Sequence, residues 1–368
     1  MLHKIMKFLP LAVLPLASMP AVARDDALQM VAIDVEGGGG TLFVTPEGKS
    51  LLIDTGNPEQ SRITGDNPSS ARIVAAAHAL GLKKIDTLLI THYHGDHIGG
   101  FEGLLARIPI DTVIDHGENR ETTASPRPDA PQIDLKNPPP GSTAAGYNRY
   151  IELIGKRRHI VAKPGDVFHI GSMTVTIVMA DAKPLAKPLP GAGEDNPSCA
   201  GMESMASNGG EENARSTASL ISYGKAKIAA FGDLTWDREK DLFCPADKVG
   251  KVDVYLATHH GTALSGSPAA VNALAPIVAI VGNSARKGAD ATRMKTIKAS
   301  PRIQGVWQLH TTTVAPEVNV ATDMIANPDT DQSKDKAYAL RLRIQKDGKV
   351  TVINERNGFN KTYPANGS

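Results

Sequence analysis

The chain has 368 residues, 41% of them apolar and 21% charged, with 40 basic against 39 acidic side chains. Neither sign dominates, which excludes bulk electrostatic capture of nucleic acid or of an anionic membrane. The 7 Phe, 7 Tyr and 2 Trp residues also leave little for the stacking platforms that hold single-stranded nucleic acid.

At the amino terminus, Lys4 and Lys7 precede a mostly apolar run from Phe8 to Ala17, and Ala21-Val22-Ala23 offers small residues ahead of polar Arg24-Asp25-Asp26. This predicts a signal peptide over residues 1–23, a periplasmic or secreted location, and one mature domain over 24–368. The apolar run is shorter than the roughly 20 residues of a spanning helix and contains Pro10 and Pro15. No stable membrane association is expected, and no protein partner is evident. Cleavage removes two bases and no acid, leaving 38 basic against 39 acidic residues.

Residues 28–54 alternate apolar runs with Gly-rich turns, as in a strand hairpin followed by another strand. Residues 69–82 read as a helix with Ser69 or Ser70 as cap and Gly81 as stop, and 85–90 as a buried strand. A short helix over 99–108 and a strand over 112–116 follow. Gly146 to Arg158 is helical in pattern, and 168–178 is a hairpin around Gly171-Ser172. The second half offers strands at 217–223, 227–232, 252–258 and 277–282, with helices at 236–243 and 268–274. Strands at 305–309, 337–345 and 350–354 read as a carboxy-terminal extension of a sheet edge. This rhythm argues a layered α/β fold.

Two stretches break the rhythm. Residues 118–142 are Pro-rich, and 181–213 combine Pro, Gly, Asn and Glu; each follows a strand, which favours lids or substrate walls over linkers. Residues 286–302 are basic, with Lys287 and Arg293 among six cations against Asp290; they could receive a phosphate, but a solvated helix face is the better reading. Cys199 and Cys244 could pair in an oxidising compartment or stay free thiols.

The chemistry concentrates in Thr91-His92-Tyr93-His94-Gly95-Asp96-His97-Ile98-Gly99-Gly100, directly after the apolar strand. Three imidazoles and a carboxylate within six residues form a metal site suited to zinc, and the spacing can serve two adjacent ions.

His-x-His-x-Asp-His after a strand resembles the signature of the metallo-β-lactamase superfamily. Leu51–Gly56, with Asp54 as a buttressing carboxylate, Phe231-Gly232-Asp233, and Ala257-Thr258-His259-His260-Gly261 extend the resemblance over roughly residues 30–285. Asp34 to Lys49, Gly232-Asp233-Leu234 and His259-His260-Gly261 with Ser265 and Ser267 are most like the soluble domain of ComEC-type competence proteins. The resemblance implies an αββα four-layer sandwich. It implies two divalent ions, zinc or else manganese. His92 and His94 would hold the first, and Asp96, His97 and His259 the second. Asp233 would bridge them, with Asp96 and Asp233 serving catalysis too. Asp54 would orient a ligand histidine. His260 is the alternative to His259 as ligand, or else a substrate contact. His116 could line the pocket. The superfamily's usual third histidine for the first ion is replaced by Asn213, which implies a weaker first site.

The expected activity is hydrolysis by a metal-bound hydroxide, with a phosphodiester as the favoured substrate and nucleic acid as a substrate only. The alternatives are hydrolysis of an amide, thioester or lactone, β-lactams included, and a metal-dependent binding module without catalysis.

Overall fold

The computed structural model describes residues 26–125, 129–200, 210–331 and 334–365. The expected signal peptide lies outside them. Two nine-stranded sheets face each other.

The first contains β1 (Leu28–Ala32), β2 (Thr41–Val44), β3 (Ser50–Ile53), β4 (Ile85–Leu89), β5 (Ile110–Asp115) and β6 (Arg158–Val161) in spatial order. The helices of this half are α1 (Ser69–Ala79), α2 (Gly95–Ile98), α3 (Phe101–Arg107) and α4 (Thr143–Ile154). The second half comprises β7 (Val167–Ile170), β8 (Met173–Ala180), β9 (Lys183–Pro184), α5 (Gly210–Asn213), β10 (Ala218–Tyr223), β11 (Ala226–Ala230), α6 (Trp236–Phe243), β12 (Val254–Leu256), α7 (Pro268–Leu274), β13 (Val278–Val281), α8 (Ala291–Lys298), β14 (Gly305–His310) and β15 (Ile325–Asn327). Its sheet runs β7-β8-β10-β11-β12-β13-β14-β15, with β9 beside β8. Finally, β16 (Leu340–Ile344), β17 (Val350–Asn354) and β18 (Asn360–Tyr363) return to the first sheet and extend it past β1.

Each sheet is antiparallel in one part and parallel in the other, the change falling at β3–β4 and at β11–β12. The sequence follows this division. In β8, Met173, Val175 and Ile177 are buried while Thr174 and Thr176 are half-exposed, the alternation of an antiparallel strand. In β13, Val278-Ala279-Ile280-Val281 is buried throughout, as a parallel strand covered on both faces must be.

Three cores separate four layers. Between the sheets lie Leu28, Met30, Phe43 and Leu51 from one and Val175, Ile177, Ile228 and Trp307 from the other. The next residues along the strands, Val31 and Leu52, point the opposite way and meet Ile73 of α1, Phe101 and Leu104 of α3, and Tyr150 of α4. On the far side, Leu220, Ala229 and Phe231 meet Leu242, Val271, Leu274, Met294 and Ile297 of α6, α7 and α8. The αββα sandwich that the resemblance implies is therefore present.

Several local readings change. The cap of α1 is Pro68; Ser69 instead accepts the Asn57 N–H at 3.0 Å, and Ser70 donates to Glu59. Ser142 starts α4 earlier than the periodicity suggests, by accepting the Ala145 N–H at 3.3 Å. The basic stretch around α8 divides: Arg286, Lys295 and Lys298 are exposed, as a solvated face requires, whereas Arg293 is buried, lies 4.8 Å over the Trp236 ring and donates to the Gly266 carbonyl. Cys199 and Cys244 form a disulfide, with Cα atoms 5.7 Å apart, and it ties the 181–213 insertion to the end of α6.

Candidate metal centre

The ligand-type residues stand where parallel strands end. Asp54 follows β3, residues 91–97 follow β4, Asp233 follows β11, His259 and His260 follow β12, and Lys287 lies beyond β13. The turn into Asp233 needs Gly232, which has φ +56°; a Cβ there would sit 2.7 Å from that of Thr91. The loops after β4 and β11, from opposite sheets, thus pack with the Gly232 backbone against the Thr91 side chain.

One group is Asp96, His97, Asp233 and His260, each with one ligand atom within 4.8 Å of the others. His97 Nε2 lies 3.3 Å from Asp233 Oδ2, 3.4 Å from Asp96 Oδ2 and 3.3 Å from His260 Nε2. His260 Nε2 lies 3.4 Å from Asp233 Oδ1. This group takes His260 where the sequence favours His259. The backbone explains the exchange. Both histidines are left-handed, at φ +54° and +58°, so their side chains diverge in a way that an extended strand end would not dictate. His259 instead points Nε2 to Asp233 Oδ2 at 3.3 Å, and its Nδ1 lies 3.2 Å from Ser265 Oγ.

Beside this group, His92 Nε2 and His94 Nδ1 converge at 3.0 Å, with His92 Nε2 4.0 Å from Asp233 Oδ2. The other nitrogen of His94 lies 3.0 Å from Glu121 Oε2, and Thr143 donates to Glu121 Oε1 at 2.9 Å. Asp54 Oδ2 sits 2.7 Å from His97 Nδ1. Such partners fix which imidazole nitrogen is free to bind a metal.

The charges suit cations. Burial opposes ionisation of Asp233, but His259, His260 and His97 outweigh it and hold its carboxyl well below the usual range. Burial likewise opposes charge on Asp96, and Lys287 followed by His97 outweighs it. Burial, then His97 and His94, keep His92 well below its ordinary value, so it is neutral as a ligand must be. Burial drives His259 down to about 4.

Asn213 ends α5 beside the centre, 3% exposed, with its Oδ1 lacking a hydrogen-bond partner among the described residues. His116 is buried and does not line the cavity; its Nε2 lies 3.0 Å from Glu212 Oε2, and Glu212 also accepts the Arg120 N–H at 2.8 Å. A cavity of about 740 Å³ opens over Asp233, His94, His259 and Asn213, with apolar walls that include Ile98, Phe101 and Leu264. Lys287 reaches into it and ion-pairs with Asp96.

Three participants escape a reading of the sequence. Glu121 lies in an aperiodic Pro-rich loop and Glu212 in an acidic pair resembling surface. Lys287 was legible only as one cation of a basic stretch.

Residues 36–193 match the family model of the metallo-beta-lactamase superfamily. The chain is 32% identical over 124 residues to a hydroxyacylglutathione hydrolase of Stenotrophomonas maltophilia, covering 34% of this chain and 37% of that protein. A second hydroxyacylglutathione hydrolase, from Rhodopseudomonas palustris, is 41% identical over 54 residues, 15% of this chain and 21% of that one. The chain thus spans well under half the length of these curated relatives. Among solved structures, the metallo-beta-lactamase fold protein YhfI from Bacillus subtilis is similar with a TM-score of 0.43 and 13% identity, covering 77% of this chain and 96% of that one.

Proposed function

From a chain with the metallo-β-lactamase fold and a match to that superfamily, we propose a metal-dependent hydrolase of anionic esters, with phosphodiesters first among them, exported to the periplasm or medium. The observation that carries this is the group of Asp96, His97, Asp233 and His260, whose ligand atoms gather within 4.8 Å and of which Asp96 and Asp233 line the cavity.

The residues fit divalent ions. Two carboxylates and two imidazoles converge without cysteine, a set suited to zinc or manganese. His97, Asp96, Asp233 and His260 would hold one ion. His92, His94 and Asp233 would hold the other, and His259 is placed to supply the imidazole that Asn213 does not. Bound ions of this kind supply a nucleophilic oxygen at neutral pH and offset charge on a phosphate ester.

The chain's own groups do the rest. Asp54 and Glu121 orient His97 and His94. Lys287, which pairs with Asp96 in the cavity, supports an anionic substrate, and Ile98 and Phe101 give it an apolar wall.

A thioester is the second reading, favoured by the likeness to the hydroxyacylglutathione hydrolases. The absence of a histidine at Asn213 sets the centre apart from the three-histidine pattern on which the β-lactamase alternative rests. The likeness to ComEC-type proteins supports the phosphodiester reading. The test is hydrolysis of bis-p-nitrophenyl phosphate, single-stranded DNA, S-lactoylglutathione and nitrocefin by zinc- and manganese-loaded protein, with Asp233→Asn as control. Phosphodiester cleavage that falls at least ~10-fold in the variant supports the proposal. Turnover of the thioester alone selects the second reading, and no turnover by either metal form refutes both.

A further inference from the structure

A second group of ligand-type side chains is buried away from the candidate centre. Asp34, Glu36, His310 and Asp335 each offer one atom within 4.8 Å of the others. Asp34 and Glu36 follow β1, His310 ends β14, and Asp335 precedes β16. The first three are no more than 3% exposed, and the Asp335 side chain is 6% exposed.

The charges do not balance. Arg72 donates to Asp34 Oδ2 at 2.9 Å and lies 3.1 Å from Asp335 Oδ2. His310 Nε2 lies 2.8 Å from Asp34 Oδ1, which also accepts the Glu36 N–H at 2.9 Å. Asp34 thus has partners on both oxygens, while both carboxylate oxygens of Glu36 are buried with no hydrogen-bond partner among the described residues. The nearest donor-type atom with a measured approach, His310 Nε2, is 3.9 Å from Glu36 Oε2. A buried carboxylate in that position has to be neutralised, by a proton or by a cation. Three carboxylates against Arg72 leave two negative charges, which one dication with a neutral His310 cancels.

We propose that Asp34, Glu36, His310 and Asp335 form a second, structural site for a divalent cation. Three carboxylates and one imidazole make an oxygen-rich set that suits manganese and accepts zinc. The four ligands come from three segments distant in sequence, so the ion clasps the end of β14 and the approach to β16 onto the loop that follows β1. That loop abuts the candidate centre: Gly39 N–H donates to the Asp96 carbonyl at 3.0 Å, and a Cβ on Gly39 would lie 2.7 Å from His97 Nδ1. The ion stiffens a wall of the centre without touching substrate.

The experiment is anomalous diffraction from crystals of the mature chain grown with manganese or with zinc, paired with metal analysis of wild type, Glu36→Gln and Asp335→Asn. A peak among the four residues is expected, together with the loss of one bound equivalent in either variant while metal at Asp233 remains. Asp335→Asn, at the more accessible ligand, serves if Glu36→Gln does not fold. No peak in this group with either metal, in crystals whose Asp233 centre is loaded, overturns the proposal and leaves protons on Glu36 and His310 as the neutralising charges. An unchanged metal count in folded variants overturns it too. A peak here with none at Asp233 would instead refute the hydrolase reading and leave this one standing.

Discussion

Oδ2 of Asp54 lies 2.7 Å from Nδ1 of His97, and the same carboxylate accepts both the backbone N–H and the hydroxyl of Thr91 at 2.8 Å. Asp54 thereby fixes the His97 ring with Nε2 turned towards Asp96 and Asp233. Removing it frees the ring and strands the Thr91 donors, each such loss costing about 1–3 kcal/mol. Asp54→Ala is expected to weaken the ion held by His97 by about 10–100-fold, the usual effect of losing a ligand's orienting partner. Competition against a chromophoric chelator measures it. Unchanged affinity in a folded variant would mean that His97 does not ligate through Nε2.

His259 and His260 stand on different oxygens of Asp233, at 3.3 and 3.4 Å. If each serves its own ion, their losses should be separable. His260→Ala should empty the site shared with His97, whereas His259→Ala should loosen the site of His92 and His94, each by at least ~10-fold in affinity. Cobalt substitution reads the two sites by their spectra. Asn213→His adds the imidazole that the first site lacks, and should restore affinity in His259→Ala. If the two alanine variants lose the same ion, the assignment of one histidine to each site fails.

The layers were legible because hydrophobic periodicity carries them. The candidate ligand loop is legible because imidazoles at such spacing have few structural uses. What stayed hidden depended on distance along the chain or on backbone angles. Glu121 and Thr143 buttress His94 from a loop with no period, and Glu212 reaches His116 across 96 positions. The left-handed pair at His259 and His260 decides which imidazole joins Asp96, and no pattern of residue types states a φ angle. Strands β6, β9, β15 and β18, none longer than four residues, were too short to announce themselves. The acid partners of His310 lie 276 and 274 positions away.

Lys287 ion-pairs with Asp96 from the rim of the cavity. A bound ion would take the Asp96 carboxylate and leave the Lys287 ammonium for an incoming anion. Lys287→Met keeps most of the side chain's length and removes its charge. On an anionic ester, KM should rise on the order of 10-fold, about the 1.4 kcal/mol of one charge-assisted contact, while kcat changes less. A neutral ester should be indifferent. Equal losses on charged and neutral substrates, or loss of bound metal, would assign Lys287 to the metal centre's structure instead.

His159 on β6 offers a pH test remote from the metal centre. Its Nε2 lies 2.7 Å from Asp115 Oδ2, a buried carboxylate that also accepts the Tyr150 hydroxyl at 2.8 Å and the Gly117 N–H at 2.9 Å. The hydrogen bond to Asp115 raises the His159 pKa above its ordinary 6.5, with burial opposing. A folded value above the unfolded one means that the protonated imidazole stabilises the fold. That contribution is complete below pH 6.5 and is lost as pH rises through the folded value. The His159 side chain is 30% exposed, so solvent screening limits the effect to about 1 kcal/mol or less. His159→Gln should therefore be less stable than wild type at pH 6, with the gap closing by pH 9. Urea midpoints compared between the two proteins at each pH cancel effects common to both, including any pH dependence of metal binding. A gap that stays constant or widens towards pH 9 would show that the histidine stabilises β6 by packing or as a neutral partner, and not through its charge.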